Sequence, residues 1–121
     1  MAKKIDKNDS YRVGKKSAAV IRASVDVGLG QDGFVKLSLD NKPLLGTFAP
    51  VGLLALGTAD AVKEKLLVVQ VRVTDVSVMT NRMSVTVRLT GGPSAKSITV
   101  PAEVSDDGDS VLIEVFVLFR E

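Results

Sequence analysis

Met83-Ser84-Val85-Thr86-Val87-Arg88-Leu89 puts an apolar residue at every second position and a polar one between each pair. Side chains alternate faces along a strand, so this stretch reads as a β-strand with one buried and one wet face. The same period recurs on both sides of it. Ala19, Ile21, Ala23, Val25, Val27 and Leu29 alternate with Arg22, Ser24 and Asp26, and Phe34 to Leu39 alternates through Val35, Leu37 and Leu39. Residues 66–78 carry Leu67, Val69, Val71 and Val73 on one parity and Val76 and Val78 on the other. One extra residue would restore a single face, so a β-bulge is expected near Asp75. Ile98 and Val100 make a short strand. Val111 to Phe119 is apolar on both parities except at Glu114, which predicts a strand covered on both sides, centrally or by a neighbouring subunit.

Turn residues separate these runs. Gly28 to Gly33, Asp40-Asn41-Lys42-Pro43, Gly91-Gly92-Pro93 and Asp106-Asp107-Gly108-Asp109 all break the period. After the second of them, a hairpin back through Leu44 to Phe48 is expected. Strands at this spacing predict an all-β protein, an antiparallel β-sandwich or jelly-roll-like barrel of six to eight strands. The one helix candidate, near residues 58–66, would be capped by Thr58 or Asp60. Composition agrees: 121 residues suit one domain, and 20 Val and 13 Leu against four Phe, one Tyr and no Trp describe a branched aliphatic core suited to strands.

Charge divides the chain. The segment 1–17 holds Lys3, Lys4, Lys7, Arg12, Lys15 and Lys16 against Asp6 and Asp9, a net +4, and the remaining residues net −2. So polar a segment cannot bury enough apolar surface to order itself, which predicts a flexible basic arm over 1–17 and a sandwich domain over 18–121. The arm's cations could reach an acidic neighbour. They could also hold nucleic acid by counterion release, but only Tyr11 offers a base-stacking surface, so nucleic acid is not the expected partner.

The absence of cysteine and histidine removes thiol nucleophiles, serine–histidine pairs, disulfides and Cys/His zinc sites. Gly28-Leu29-Gly30-Gln31-Asp32-Gly33 matches a dinucleotide fingerprint, but the following residues have a strand's period where the phosphate needs a helix N-terminus. A plain hairpin loop is the expectation, and no cofactor is expected. Asp106, Asp107 and Asp109 offer oxygen ligands to calcium without the spacing of an EF-hand, and a tight turn explains them as well. Glu114 is the lone charge in its strand. A buried glutamate has a raised pKa and can do acid–base work, whereas the commoner arrangement turns it to water or to an arginine such as Arg72 or Arg88. A hydrolase would need a second carboxylate at a fixed short distance, and none nominates itself.

Leu44 to Ala59 runs sixteen residues without a charge, broken by Gly46, Pro50, Gly52 and Gly57. It is too short for a membrane-spanning helix and reads as a poor strand, so it should fold over the sandwich as a lid or bury itself against another chain. Leu44, Leu45, Phe48, Val51, Leu53, Leu54 and Leu56, with Phe116 and Leu118 of the last strand, are the candidate interface residues. The function this predicts is that of a non-enzymatic structural or interaction protein, a self-associating subunit of a phage-like or other particle. The alternative is a ligand-binding sandwich with a site for calcium or a polar small molecule at the loop end. Met1-Ala2-Lys3-Lys4 leads into no apolar run of signal-peptide length, so a cytoplasmic location, or one within an assembled particle, is expected.

Overall fold

The computed structural model describes residues 3–16, 18–77, 79–104 and 108–121. The chain forms β1 (Lys3–Arg12), β2 (Val20–Gly28), β3 (Asp32–Leu39), β4 (Lys42–Phe48), β5 (Val51–Thr58), α1 (Ala59–Val62), β6 (Leu66–Thr74), β7 (Arg82–Thr90), β8 (Lys96–Glu103) and β9 (Ser110–Arg120). They build a β-sandwich of two sheets. The first, sheet A, has the order β1-β9-β6-β3-β4, and the second, sheet B, the order β5-β2-β7-β8. All neighbours are antiparallel except β1 and β9, which run parallel from Lys3 opposite Val111 to Arg12 opposite Arg120. Nine strands form among the described residues, where six to eight were expected.

The alternating positions supply the core. Ile21, Ala23 and Val25 of β2 and Met83, Val85, Val87 and Leu89 of β7 face Leu67, Val69, Val71 and Val73 of β6 and Val111, Ile113, Val115, Val117 and Phe119 of β9, all fully buried. Each buried Val or Leu contributes about 1.5–3 kcal/mol relative to exposure. Asp40 and Asn41 both take positive φ, 47° and 67°, which is the two-residue turn whose twist suits a hairpin, and β4 returns as expected. Asp40 Oδ1 also accepts from the Leu66 amide at 2.8 Å, tying that turn to the start of β6. Thr58 caps α1, its hydroxyl accepting from the Ala61 amide at 3.2 Å. Among the described residues no helix is long and apolar enough to cross a membrane.

Four expectations are corrected. The basic segment is not an arm: Lys3–Arg12 is a strand of the sandwich. Its backbone ladder with β9 gives it order that its own composition does not. Tyr11 anchors its far end, donating to the Ser94 carbonyl at 2.8 Å, accepting from the Gly92 amide at 3.0 Å and meeting Phe119 edge-on. Lys96 Nζ lies 2.6 Å from Asp9 Oδ1 and donates to the Ser10 carbonyl, which closes the seam between β1 and β8. Second, no bulge carries β6 past Asp75. The strand ends at Thr74, and Asp75 exchanges backbone hydrogen bonds with Asp109 and Gly108. Register shifts fall instead at Leu37/Ser38, Ile21/Arg22 and between Ala23 and Val25. Third, Leu44 to Ala59 is neither lid nor loop: it holds the two edge strands β4 and β5, where missing ladder bonds and glycines are tolerated. Fourth, the Gly28 to Gly33 turn is not a hairpin, because β2 and β3 belong to different sheets.

Candidate interaction surface

Strand pairing places the outward side chains of sheet A in rows that cross all its strands, because residues directly opposite in a ladder share a face. One row reads Lys4, Leu112, Arg72, Phe34 and Phe48 from β1 to β4. The next reads Asp6, Glu114, Gln70, Lys36 and Gly46. Below it lie Asn8, Phe116, Val68, Ser38 and Pro43, and then Ser10, Leu118 and Leu66. Much of this face is apolar although the core lies on the other side of the sheet. Phe48 is 68% exposed, Leu118 43% and Leu66 37%, while Phe34, Val68, Leu112 and Phe116 are half-buried against their neighbours. Phe34 and Phe48 meet edge-to-face with ring centres 5.1 Å apart.

A polar row interrupts this apolar ground. Glu114 is 93% withdrawn from solvent, at 7% exposure, on the side of its strand away from the core. Lys4 Nζ approaches its Oε1 to 2.8 Å, and Gln70 Nε2 donates to its Oε2 at 3.1 Å. The Lys4 contact, and after it the Gln70 amide, hold the Glu114 carboxyl below the usual glutamate range against the opposing effect of burial. The same hydrogen bond raises Lys4, with Asp6 adding to it. A raised pKa for Glu114 is therefore not found, and neither Arg72 nor Arg88 is its partner: Arg72 lies opposite Leu112, and Arg88 is on sheet B, 3.8 Å from Asp26. Lys36, Arg72 and Asp6 make no ion pair among the described residues. Two shallow grooves of about 560 and 440 Å³ share Phe34, Lys36 and Gln70, one reaching Pro43 and Gly46 and the other Arg72 and Leu112.

The outward face of sheet B is of a different kind. Arg22, Ser24 and Asp26 of β2, Ser84, Thr86 and Arg88 of β7 and Ser97 and Thr99 of β8 occupy its centre, joined by the Arg88–Asp26 pair and a 3.1 Å hydrogen bond between the Thr86 and Thr99 hydroxyls, with Leu53 and Ala55 of β5 and Pro101 of β8 exposed at its edges.

The interface candidates separate by position. Val51 is buried, and Leu44, Leu45, Leu54 and Leu56 pack against the protein's own core. Phe48, Phe116 and Leu118 stand on the outer face of sheet A, and Leu53, 59% exposed, stands on β5 of sheet B. Phe34, Leu66, Val68 and Leu112 complete the sheet A surface without having been singled out, although Phe34 and Val68 occupy the parity opposite to the core residues of their own strands. Of the basic residues, Lys4 meets an acid of its own chain, and Lys7, Arg12, Lys15 and Lys16 are exposed on β1 or the link after it.

At the loop end, Gln31 is buried and does the connecting. Its Nε2 donates to the Thr80 and Arg82 carbonyls and its Oε1 accepts from the Val76 and Ser77 amides, which fixes the Gly28 to Gly33 turn to the β6–β7 connection. Asp106 and Asp107 lie outside the described residues, and Asp109 is exposed with its carbonyl occupied by the Asp75 amide. Among the described residues no cluster of three or more Asp or Glu side chains is arranged to hold a metal ion. Comparison with protein-family models, with curated proteins and with solved structures gives no match for the chain.

Proposed function

We propose that this protein is a non-enzymatic interaction module that self-associates, as a subunit of a larger assembly, through the outward face of sheet A. The observation that carries this reading is the contrast between the two outward faces: Phe34, Leu66, Val68, Leu112, Phe116 and Leu118 stand on one, and on the other mostly serines, threonines and charges, with Leu53, Ala55 and Pro101 on the outer strands. The sandwich needs neither set for its core. Apolar side chains gathered on one solvent-facing sheet mark a surface that another protein covers. The state of Glu114 supports the same reading, since a carboxylate held ionised between Lys4 and Gln70 is a structural ion pair and not a proton donor.

Light scattering at several concentrations tests it. The protein is expected to gain mass with concentration, Leu118→Asp to remain monomeric and folded, and Ser97→Asp on the opposite sheet to behave as the parent. A parent protein that stays monomeric throughout, or a Leu118→Asp variant that associates unchanged, overturns the proposal.

A further inference from the structure

We infer that the partner on this face is a second copy of the same chain, docked about a two-fold axis that runs along the strands between β9 and β6. The inference rests on the self-association proposed above and adds the geometry. A half-turn about that axis lays β9 of one copy on β6 of the other, and β1 on β3. Carried row by row through the register, the operation sets Asp6 against Lys36, Glu114 against Gln70, Phe116 against Val68 and Leu118 against Leu66. Lys4 comes opposite Phe34, a favourable pairing for a cation and an aromatic ring, Leu112 opposite Arg72, whose aliphatic stem it can cover, and Asn8 opposite Ser38.

An isologous interface requires this kind of self-complementarity, in which residue i meets j and j meets i. Asp6 and Lys36, exposed and without ion pairs among the described residues, each acquire a partner of opposite sign, twice per dimer. Two other two-fold axes in the plane bring like charges together. One drawn across the strands through the polar row sets Glu114 on Glu114 and Lys36 on Lys36, and one drawn along β6 itself sets Arg72 on Arg72. Like charges in such positions disfavour the wrong pairing.

Facing sheets pack about 10 Å apart with strands within about 30° of alignment, so the pairs of β9 with β6 are held most closely and the outer pair of Asp6 with Lys36 relies on the reach of the lysine side chain. The four strands that overlap, at about eight residues each, cover roughly 500 Å² per copy, below the size of a standard specific interface, which predicts a dimer that dissociates on dilution.

The test is a charge swap read by sedimentation of the full chain. Asp6→Lys and Lys36→Asp are each expected to weaken dimerisation at least about ten-fold, since each places two like-charge contacts in the interface, and the double variant Asp6→Lys/Lys36→Asp to recover to within about three-fold of the parent. Both side chains are exposed, and circular dichroism verifies that each variant is folded. Single variants without effect, or a double variant as weak as the product of the two, overturn the pairing. If charge changes have no effect but Leu118→Asp still breaks the dimer, the axis is wrong and the self-association stands. A parent protein that is monomeric at every concentration removes both.

Discussion

The inner and outer faces of the two sheets obey the same alternation and end in different places. Inward, β9 and β7 are interchangeable in character: Ile113 and Val115 on one, Val85 and Leu89 on the other, all fully buried. Outward, β9 presents Leu112, Phe116 and Leu118, where β7 presents Ser84, Thr86 and Arg88. The comparison teaches that folding sets only one side of each sheet. The other side is free of that constraint, and here one sheet carries mostly polar side chains on it and the other a large share of apolar ones.

Substitutions can break this comparison at graded strengths. The largest effect is expected where the faces agree: Ile113→Ala and Leu89→Ala should each destabilise by about 2–5 kcal/mol in urea unfolding, because each leaves a cavity in one shared core. A marked inequality between the two would show that the sheets do not share the core equally. Next comes the polar contact on the apolar face. Glu114→Ala should cost about 1–3 kcal/mol, since it leaves the Gln70 amide without its acceptor and Lys4 without its ion pair.

Acid should act in the same place. The Glu114 and Asp9 carboxyls are both held below their ordinary ranges, by Lys4 and by Lys96. A depressed folded-state pKa contributes stability that is present above the unfolded value and lost as pH falls through the folded one. Stability should therefore decline below about pH 4, and Glu114→Gln should flatten part of that decline in thermal unfolding scans. The smallest effect belongs to the polar face: Asp26→Ala removes an exposed pair 3.8 Å from Arg88 and should change stability by no more than about 0.5 kcal/mol. A loss as large as that of Glu114→Ala would erase the distinction between the faces.

Alternation made most of the fold legible. β7, β6 and β3 turn inward the residues that their parity nominates, whereas β9, apolar on both parities, leaves its inward set to be chosen by the sheet, and the Asp40-Asn41 turn and the Thr58 cap lie where residue chemistry puts them. β1 was not legible because its residues are polar on both parities; its order comes from pairing with β9, more than a hundred positions away, and from Tyr11 packing beside Phe119. The parity change at Thr74-Asp75 has two physical causes that a sequence does not separate, a bulge within a strand and the end of one. The glycines of residues 44–59 argue against a central strand and say little about an edge, which is where β4 and β5 lie. The sheet A surface was visible only in part. Phe48, Phe116 and Leu118 stand out along the chain, whereas Phe34, Leu66, Val68 and Leu112 join them only through cross-strand register, which no single segment carries.

The parallel pairing of β1 with β9 also has a mechanical consequence. Lys3 sits beside Val111 at one end of the pair and Arg120 beside Arg12 at the other. Tension applied between Lys3 and Arg120 therefore pulls the two strands past each other along their length. The ladder is loaded in shear, all its bonds at once, and does not unzip one bond at a time. A chain pulled from these two points should resist with a single high rupture force, whereas the same ladder pulled from Arg12 and Arg120 should peel open under a much lower one.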